Sequence, residues 1–294
     1  MTKKSPKKYR YSLVEFRKQY RTDRDCFKRL AQLRWPNGFV CPKCGCIHGC
    51  LLSNGHYECY DCGHQTSVTA GTIMHKTHLP LTKWFLAFYL VTQDKRGISA
   101  LQLAKQLSVT YKTAWYLLKR IRSAMRQRDD QHMLTGVVEF DDMFIGAPTK
   151  GKGRGRSTQK ARVLVALSLD ENGKPQYLKM QVTPDFKRAT IKNFTFKNIQ
   201  SGSTIKSDGC TTYGPVLSTN YNHQPQTFKQ NKHHLHWLHI AISNAKAFVL
   251  GTFHGLDKKC LQMYLDEYCY RFSRRYFGAD LLERLALAVA TSVP

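Results

Sequence analysis

The sequence predicts an α/β domain in its second half, preceded by a zinc ribbon and a helix-turn-helix. Three observations carry that expectation. Apolar residues alternate with a period of two in several runs after residue 136, two Cys-x-x-Cys-Gly turns lie between residues 41 and 63, and apolar residues recur at three-and-four spacing between residues 79 and 128. The implied boundaries are an N-terminal helical segment (1–36), the ribbon (37–72), the helix-turn-helix (78–128), the α/β domain (135–278) and a C-terminal tail (279–294).

Composition narrows the partners. The chain has 294 residues, 42% of them hydrophobic, enough for at least one sizeable core. Its 46 Lys and Arg outnumber 20 Asp and Glu, giving a formal net charge of +26. Such a chain binds polyanions, and double-stranded DNA, gripped by phosphate neutralisation and counterion release, is the expected one. Membrane is not expected as a partner. The longest membrane-like run, Trp84 to Val91, falls far short of the ~20 residues that cross a bilayer, and no apolar signal segment follows the basic N-terminus. The expected location is therefore the cytoplasm.

Cys41, Cys44, Cys59 and Cys62 form two matched knuckles, each followed by a glycine, Gly45 and Gly63. Each knuckle offers two thiolates from one tight turn, and four sulfurs complete a tetrahedral site for structural Zn²⁺. A redox pair is the rival reading, but a thioredoxin-like site needs one such pair beside a βαβ unit. Cys46, Cys50, Cys26, Cys210, Cys260 and Cys269 lack this spacing and are read as bystanders.

After Leu79 the period becomes helical, with Pro80 in a first turn and Gly97 as a stop. Residues 98–107 then read as one helix, Ser108-Val109-Thr110 as a turn, and Tyr111 to Arg128 as a second, basic helix. In a helix-turn-helix this second helix would present Tyr111, Lys112, Thr113 and Tyr116 to a major groove, with Lys119, Arg120 and Arg122 near phosphates. An ordinary helical hairpin with a solvated basic face has the same pattern. Trp115, Leu118 and Ile121 mark its buried stripe.

Residues 137–145 read as a strand with Glu139 and Asp141 on one face and Val138, Phe140, Asp142 and Phe144 on the other. Acids on an apolar strand cost free energy through desolvation and mutual repulsion, a cost that divalent metal ions would offset. A Gly- and Lys-rich loop follows, in which Lys150, Lys152, Arg154 and Arg156 suit a phosphate backbone, or simply a solvated turn. Residues 162–169 and 177–182 read as two more strands joined around Asn172-Gly173, residues 186–199 as a helix, and residues 203–206 as a fourth strand that ends beside Asp208. The order βββαβα with acids on the first and fourth strands is that of an RNase-H-like fold, in which neighbouring central strands would bring Asp141 and Asp208 together. A helix from about Trp237 to Leu250 follows, preceded by His233, His234 and His236. His239 and Lys246 lie two turns apart on one of its faces, so a neutral imidazole could complete a site begun by two aspartates. A structural histidine is the alternative.

These residues resemble bacterial insertion-sequence transposases, specifically the family numbered fifteen-ninety-five. The resemblance runs through Arg34-Trp35-Pro36-Asn37-Gly38, the cysteine quartet, Gly97-Ile98-Ser99-Ala100, Lys112-Thr113-Ala114-Trp115 and Val138-Glu139-Phe140-Asp141-Asp142. It continues through Ser207-Asp208-Gly209, Ser243-Asn244-Ala245-Lys246, Gly251-Thr252-Phe253-His254-Gly255 and the block from Tyr264 to Arg275. It implies a DDE-type catalytic domain using Mg²⁺ or Mn²⁺, with Asp141, Asp208, a third ligand and Lys246 as its site. It also implies DNA transposition at element ends, a homo-oligomer in the active complex, and a nucleoid-associated protein of the bacterial cytoplasm. Many relatives in this catalytic class place glutamate seven residues before the lysine; here that position is His239. A DNA-binding descendant without catalysis, and a nuclease without strand transfer, are the alternatives. Glu267 ranks below His239 as third ligand, because Asp266 and Glu267 sit among Arg271, Arg274 and Arg275 and suit a helical ion-pair network.

Overall fold

The computed structural model describes residues 11–146, 160–227, 234–254 and 256–294. The chain divides into two compact units, one of residues 1–128 and 275–294, the other of residues 129–274.

In the first unit, the order of elements follows local chemistry. Helices α1 (Leu13–Gln19) and α2 (Asp23–Arg34) each open with a capping box, Ser12 with Glu15 and Thr22 with Asp25, so two otherwise orphaned amides are satisfied reciprocally at each start. A three-stranded antiparallel ribbon follows, β1 (Gly49–Leu51), β2 (His56–Cys59) and β3 (Gln65–Ser67). Gly49 is required there: a Cβ at that position would sit 2.5 Å from the Glu58 carbonyl oxygen and 2.8 Å from the Phe39 ring. Helix α3 (Leu81–Gln93) buries Trp84, Phe85, Phe88 and Val91, and α4 (Ala100–Leu107) and α5 (Tyr111–Asp130) complete the expected helical series.

The expectation of a C-terminal tail from residue 279 is corrected. Residues Leu281–Thr291 form helix α10, which buries Leu282, Leu285, Ala286 and Val289 and packs on α2 and α3. Its apolar face recurs at three-and-four spacing, and a stripe of that kind gains free energy only when covered. Glu283 on α10 accepts from Arg29 Nε and Nη2 at 2.8 and 2.6 Å and from the Tyr20 hydroxyl.

The second unit is built on a five-stranded mixed sheet in the order β6-β5-β4-β7-β8. Strands β4 (Val137–Ile145), β5 (Ala161–Leu169) and β6 (Pro175–Thr183) are antiparallel neighbours, whereas β7 (Thr204–Ser207) and β8 (Asn222–Pro225) run parallel to β4. The first four strands and α6 (Arg188–Asn198) fall where the sequence predicted, within two residues at either end. Strand β8 and the one-turn helix α7 (Gly214–Leu217) were not anticipated, since Asn222-His-Gln-Pro225 has neither β-branched residues nor alternation.

Helices cover both faces of this sheet. Phe140, Val138, Leu164 and Ile205 pack with Ile191 and Phe194 of α6 and with Tyr213 and Leu217 around α7. On the other face Met143, Ile145, Val163 and Val165 pack with Leu238, Ala241 and Ala245 of α8 (His236–Thr252) and Leu265 of α9 (Leu261–Ser273). The face of β4 that carries Glu139 and Asp141 is therefore covered by helix, and Glu139 is only 5% exposed.

Phe140 is fully buried, with its ring centroid 5.0 Å from Tyr213 and 6.0 Å from Phe194. Phe140→Ala removes that packing and leaves a cavity, so it should lower unfolding stability by about 3–5 kcal/mol, measured as a shift of the urea midpoint at unchanged slope.

Candidate functional site

The ribbon brings its four predicted ligands to one point. Cys41 Sγ lies 3.7 Å from Cys62 Sγ, and Cys44 Sγ 3.5 Å from Cys59 Sγ. Among the described residues these four are the one set of three or more His, Cys, Asp or Glu whose ligand atoms all lie within 4.8 Å of one another. Four sulfurs at ~2.3 Å from a tetrahedral Zn²⁺ would stand about 3.8 Å apart, so the thiols fit that ion. Among these mutually bonded thiols, the Cys62 and Asp61 amides hold Cys59 below its ordinary value against desolvation, while, against the Cys46 amide, bonds to Cys62 and Cys59 push Cys44 up. Trp35 and Phe39 pack on Tyr57 beside the knuckles, ring centroids 4.9 and 5.2 Å away. Cys46, read as a bystander, stands outside this set, and its Sγ accepts from the His48 amide at 3.3 Å.

Helices α4 and α5 meet through the expected three-residue turn. Ser99 caps α4 by accepting from the Gln102 amide, Ser108 ends it in left-handed conformation (φ 48°), and Thr110 accepts from the Thr113 amide at 3.2 Å to start α5. Lys112, Tyr116 and Lys119 are exposed, as is Tyr111, while Thr113 is half-buried with its hydroxyl 2.9 Å from that of Thr110. One of the expected phosphate contacts is corrected. Arg122 is only 2% exposed and belongs to the packed side of α5, one residue beyond Ile121. Arg120 is exposed and donates from Nη1 to the backbone carbonyls of Ile73 and His75 at 2.9 and 3.1 Å, which anchors one end of its guanidinium. Charge alone does not distinguish a solvated cation from one committed to carbonyls. Lys150, Lys152, Arg154 and Arg156 lie outside the described residues.

The carboxylates are positioned by strand pairing. In the parallel register of β4 with β7, Phe140 faces Ser207, so the next positions along the same pair of strands are Asp141 and Asp208. Adjacent strands run ~4.8 Å apart, which holds the two acids as neighbours. His239 on α8 reaches the same place, with Nε2 3.5 Å from Asp141 Oδ2. Lys246 lies two turns further along α8, and its charge favours the ionised form of Asp141.

Electrostatics shows why a cation suits this place. Burial first, opposed by the Asp142 amide that donates to Oδ1 at 2.7 Å, and then the carboxylates of Asp208 and Asp142 push Asp141 up to about 7. Partial desolvation of the half-exposed side chain, followed by the nearby His234 and His236, holds His239 below its ordinary value, which leaves a neutral imidazole able to donate a lone pair. The oxygen and nitrogen donors of Asp141, Asp208 and His239 fit a divalent ion in kind. They are less tightly gathered than the thiols, and Asp208 Oδ1 accepts from the Cys210 amide at 3.1 Å.

Three supporting contacts escaped sequence reasoning. Tyr213 donates its hydroxyl to Asp142 Oδ1 at 2.6 Å, so the second acid of the Asp-Asp pair is engaged on the opposite face of the sheet. Buried His234 donates from Nε2 to the Ser207 carbonyl at 2.7 Å, fixing the strand end just before Asp208. Glu139 accepts from the Leu238 amide at 2.7 Å. Only the last had a signal in the sequence, namely the lack of Ser, Thr, Asp or Asn directly before the helix at 236.

Comparison with known proteins defines the class. Residues 133–273, nearly the whole second unit, match the ISXO2-like transposase domain, and residues 21–65 match the transposase zinc-ribbon domain. An uncharacterized protein in transposable element ISH50 of Halobacterium salinarum is 29% identical over 219 residues, 68% of this chain and 71% of that protein. Among solved structures, a pre-cleavage Mos1 transpososome is 14% identical, covering 67% of this chain and 75% of that one at a TM-score of 0.30. A Mos1 mariner paired end complex with Mn gives 14%, 66%, 74% and 0.30 in the same order. Superpositions that loose leave the argument to this chain's own topology. The sequence matches make it an insertion-sequence transposase. More narrowly, the chain belongs to the IS1595 family, whose two domains together take in more than half of its residues.

Protein purified without chelator should carry one zinc per chain by elemental analysis. Cys59→Ser should lose it and loosen the ribbon to proteolysis; full retention of zinc by this variant would overturn the ligand assignment.

Proposed function

We propose that residues 129–274 form an RNase-H-like, DDE-type catalytic domain that cuts DNA at the ends of the element and joins the freed 3′-hydroxyl to target DNA. One observation carries this reading: the β4–β7 register sets Asp141 beside Asp208 within the matched transposase domain, and α8 brings His239 to 3.5 Å of Asp141. Asp141, Asp208 and His239 would hold Mg²⁺ or Mn²⁺. When bound, such ions supply Lewis acidity to the phosphodiester and lower the pKa of an attacking water or hydroxyl. The Lys246 ammonium, from the same helix face as His239, would hold a non-bridging phosphate oxygen and so orient the reacting strand.

Binding of element ends falls to the pair α4–α5, read as a helix-turn-helix. The exposed Lys112, Tyr116 and Lys119 support that role, with Thr113 at the start of the recognition helix. Joining two ends to one target requires two active sites, so the working form would be at least a dimer. Glu267 supports His239 as third ligand by its own placement. It is 1% exposed and accepts from Arg271 at 3.2 Å, which accounts for its charge.

Asp141→Asn and Asp208→Asn should each abolish cleavage of end-sequence duplexes in Mg²⁺ or Mn²⁺ while leaving their affinity for those duplexes within about threefold, measured by gel shift at fixed salt. Loss of binding by both folded variants would mean that the acids organise a DNA-binding surface.

His239→Ala should slow cleavage at least ~100-fold, about 2.7 kcal/mol of transition-state stabilisation. His239→Glu should recover part of that loss, because a carboxylate suits a hard cation, and Glu267→Gln should be milder than His239→Ala. A near-normal His239→Ala beside an inactive, folded Glu267→Gln would move the third ligand to α9.

A further inference from the structure

Among the described residues, helix α8 begins without a side-chain cap from its own segment. The residue before it, Leu235, has a left-handed backbone (φ 54°) and no side chain that accepts a hydrogen bond. The amides of a helix's first turn have no intrahelical acceptors, and a buried one left unmatched is costly. Here the acceptor comes from another element: Oε2 of Glu139 on β4 takes the buried Leu238 amide at 2.7 Å. Glu139 is itself 95% buried by its 5% exposure, so water does not compete for this bond.

We propose that Glu139 is a positioning residue whose carboxylate clamps the first turn of α8 to β4, and so sets the approach of His239 and Lys246 to Asp141. Glu139 and Asp141 are two positions apart on one face of β4, roughly 6.7 Å along the strand. Leu238 and His239 are consecutive on α8. The Glu139–Leu238 hydrogen bond and the 3.5 Å contact of Asp141 with His239 are thus two rungs between the same strand and the same helix. Leu238, Ala241 and Ala245 seat α8 on the sheet by apolar contact, and the Glu139 bond fixes the end of the helix that carries His239. A slip of one helical residue moves a side chain ~1.5 Å along the axis and ~100° around it, enough to carry His239 off the site. The negative carboxylate also faces the positive end of the helix dipole. Glu139 differs in placement from Asp141: its buried Oε2 takes an amide of α8, whereas Asp141 Oδ1 takes the amide of its own neighbour Asp142 and Oδ2 faces His239.

The inference rests on the proposed catalytic reading, and two readouts on the full chain separate them. The first is amide hydrogen exchange, which needs neither DNA nor activity. Glu139→Ala should speed exchange in the 236–242 segment by ~10-fold or more while β5 stays protected, and Glu139→Gln should keep near-native protection, because its amide oxygen can accept the same bond. The second is strand cleavage at matched DNA binding. Glu139→Ala should lose ~10-fold or more, and Glu139→Gln should stay within ~3-fold of wild type, unlike Asp141→Asn. Wild-type exchange in Glu139→Ala would overturn the clamp. So would a Glu139→Gln as inactive as Asp141→Asn, which would make the charge itself a ligand or proton acceptor. If the wild-type chain cuts no DNA while Glu139→Ala selectively loosens α8 and Glu139→Gln does not, the clamp stands and the catalytic reading fails.

Discussion

The parallel pairing of β4 with β7 is the constraint on which the second unit depends. It sets Asp141 and Asp208 side by side, against the tendency of like charges to separate and of carboxylates to stay in water. The cost is visible in Asp141, pushed up to about 7. Backbone hydrogen bonds along neighbouring strands hold the acids there more rigidly than side-chain packing alone would. The remaining elements follow from this: β5 and β6 extend the sheet on one side, α6 and α7 cover one face, and α8 and α9 cover the other. Asp141 thus stands with the His239 imidazole 3.5 Å away and within the field of Lys246.

The first unit meets a different problem with different means. Its ribbon has a small apolar cluster of Phe39, Cys41 and Cys59, with Trp35, Tyr57 and Cys62 packed around it. Three short strands with so little to bury gain little from the hydrophobic effect, and a Zn²⁺ held by the four converging thiols would supply the cross-link that replaces a core. The helices beside the ribbon in sequence need no such device. Their stripes of Phe, Leu and Ile are continuous enough to pack, and α10, from the far end of the chain, covers α2 and α3.

The positive charge of the chain is sorted by burial. In α5, Lys112 and Lys119 project from the surface, Arg120 reaches two carbonyls, and Arg122 is enclosed. An arginine has five donors in a planar fork, so it can bind backbone carbonyls with geometry that a lysine cannot match. A formal charge of +26 therefore overstates the charge offered to a polyanion.

Much of this molecule was legible from the sequence because its signals are local. The Cys-x-x-Cys spacing, the period of two across residues 137–145 and the seven-residue interval from His239 to Lys246 each depend only on how a turn, a strand or a helix repeats. The pairing of Asp141 with Asp208 was legible for a similar reason, since the order of strands and helix restricts which strands can be neighbours. Tertiary structure alone decided the rest. Residues 281–291 became a packed helix because a partner face exists for them, and β8 formed because an exposed edge of β7 accepted it despite its sequence. Arg122 was enclosed, Tyr213 reached Asp142, and Glu139 met the Leu238 amide 99 residues away. These outcomes depend on which groups arrive from distant parts of the chain; even at α8, where the missing cap marks a need for an acceptor, no local pattern says which group supplies it.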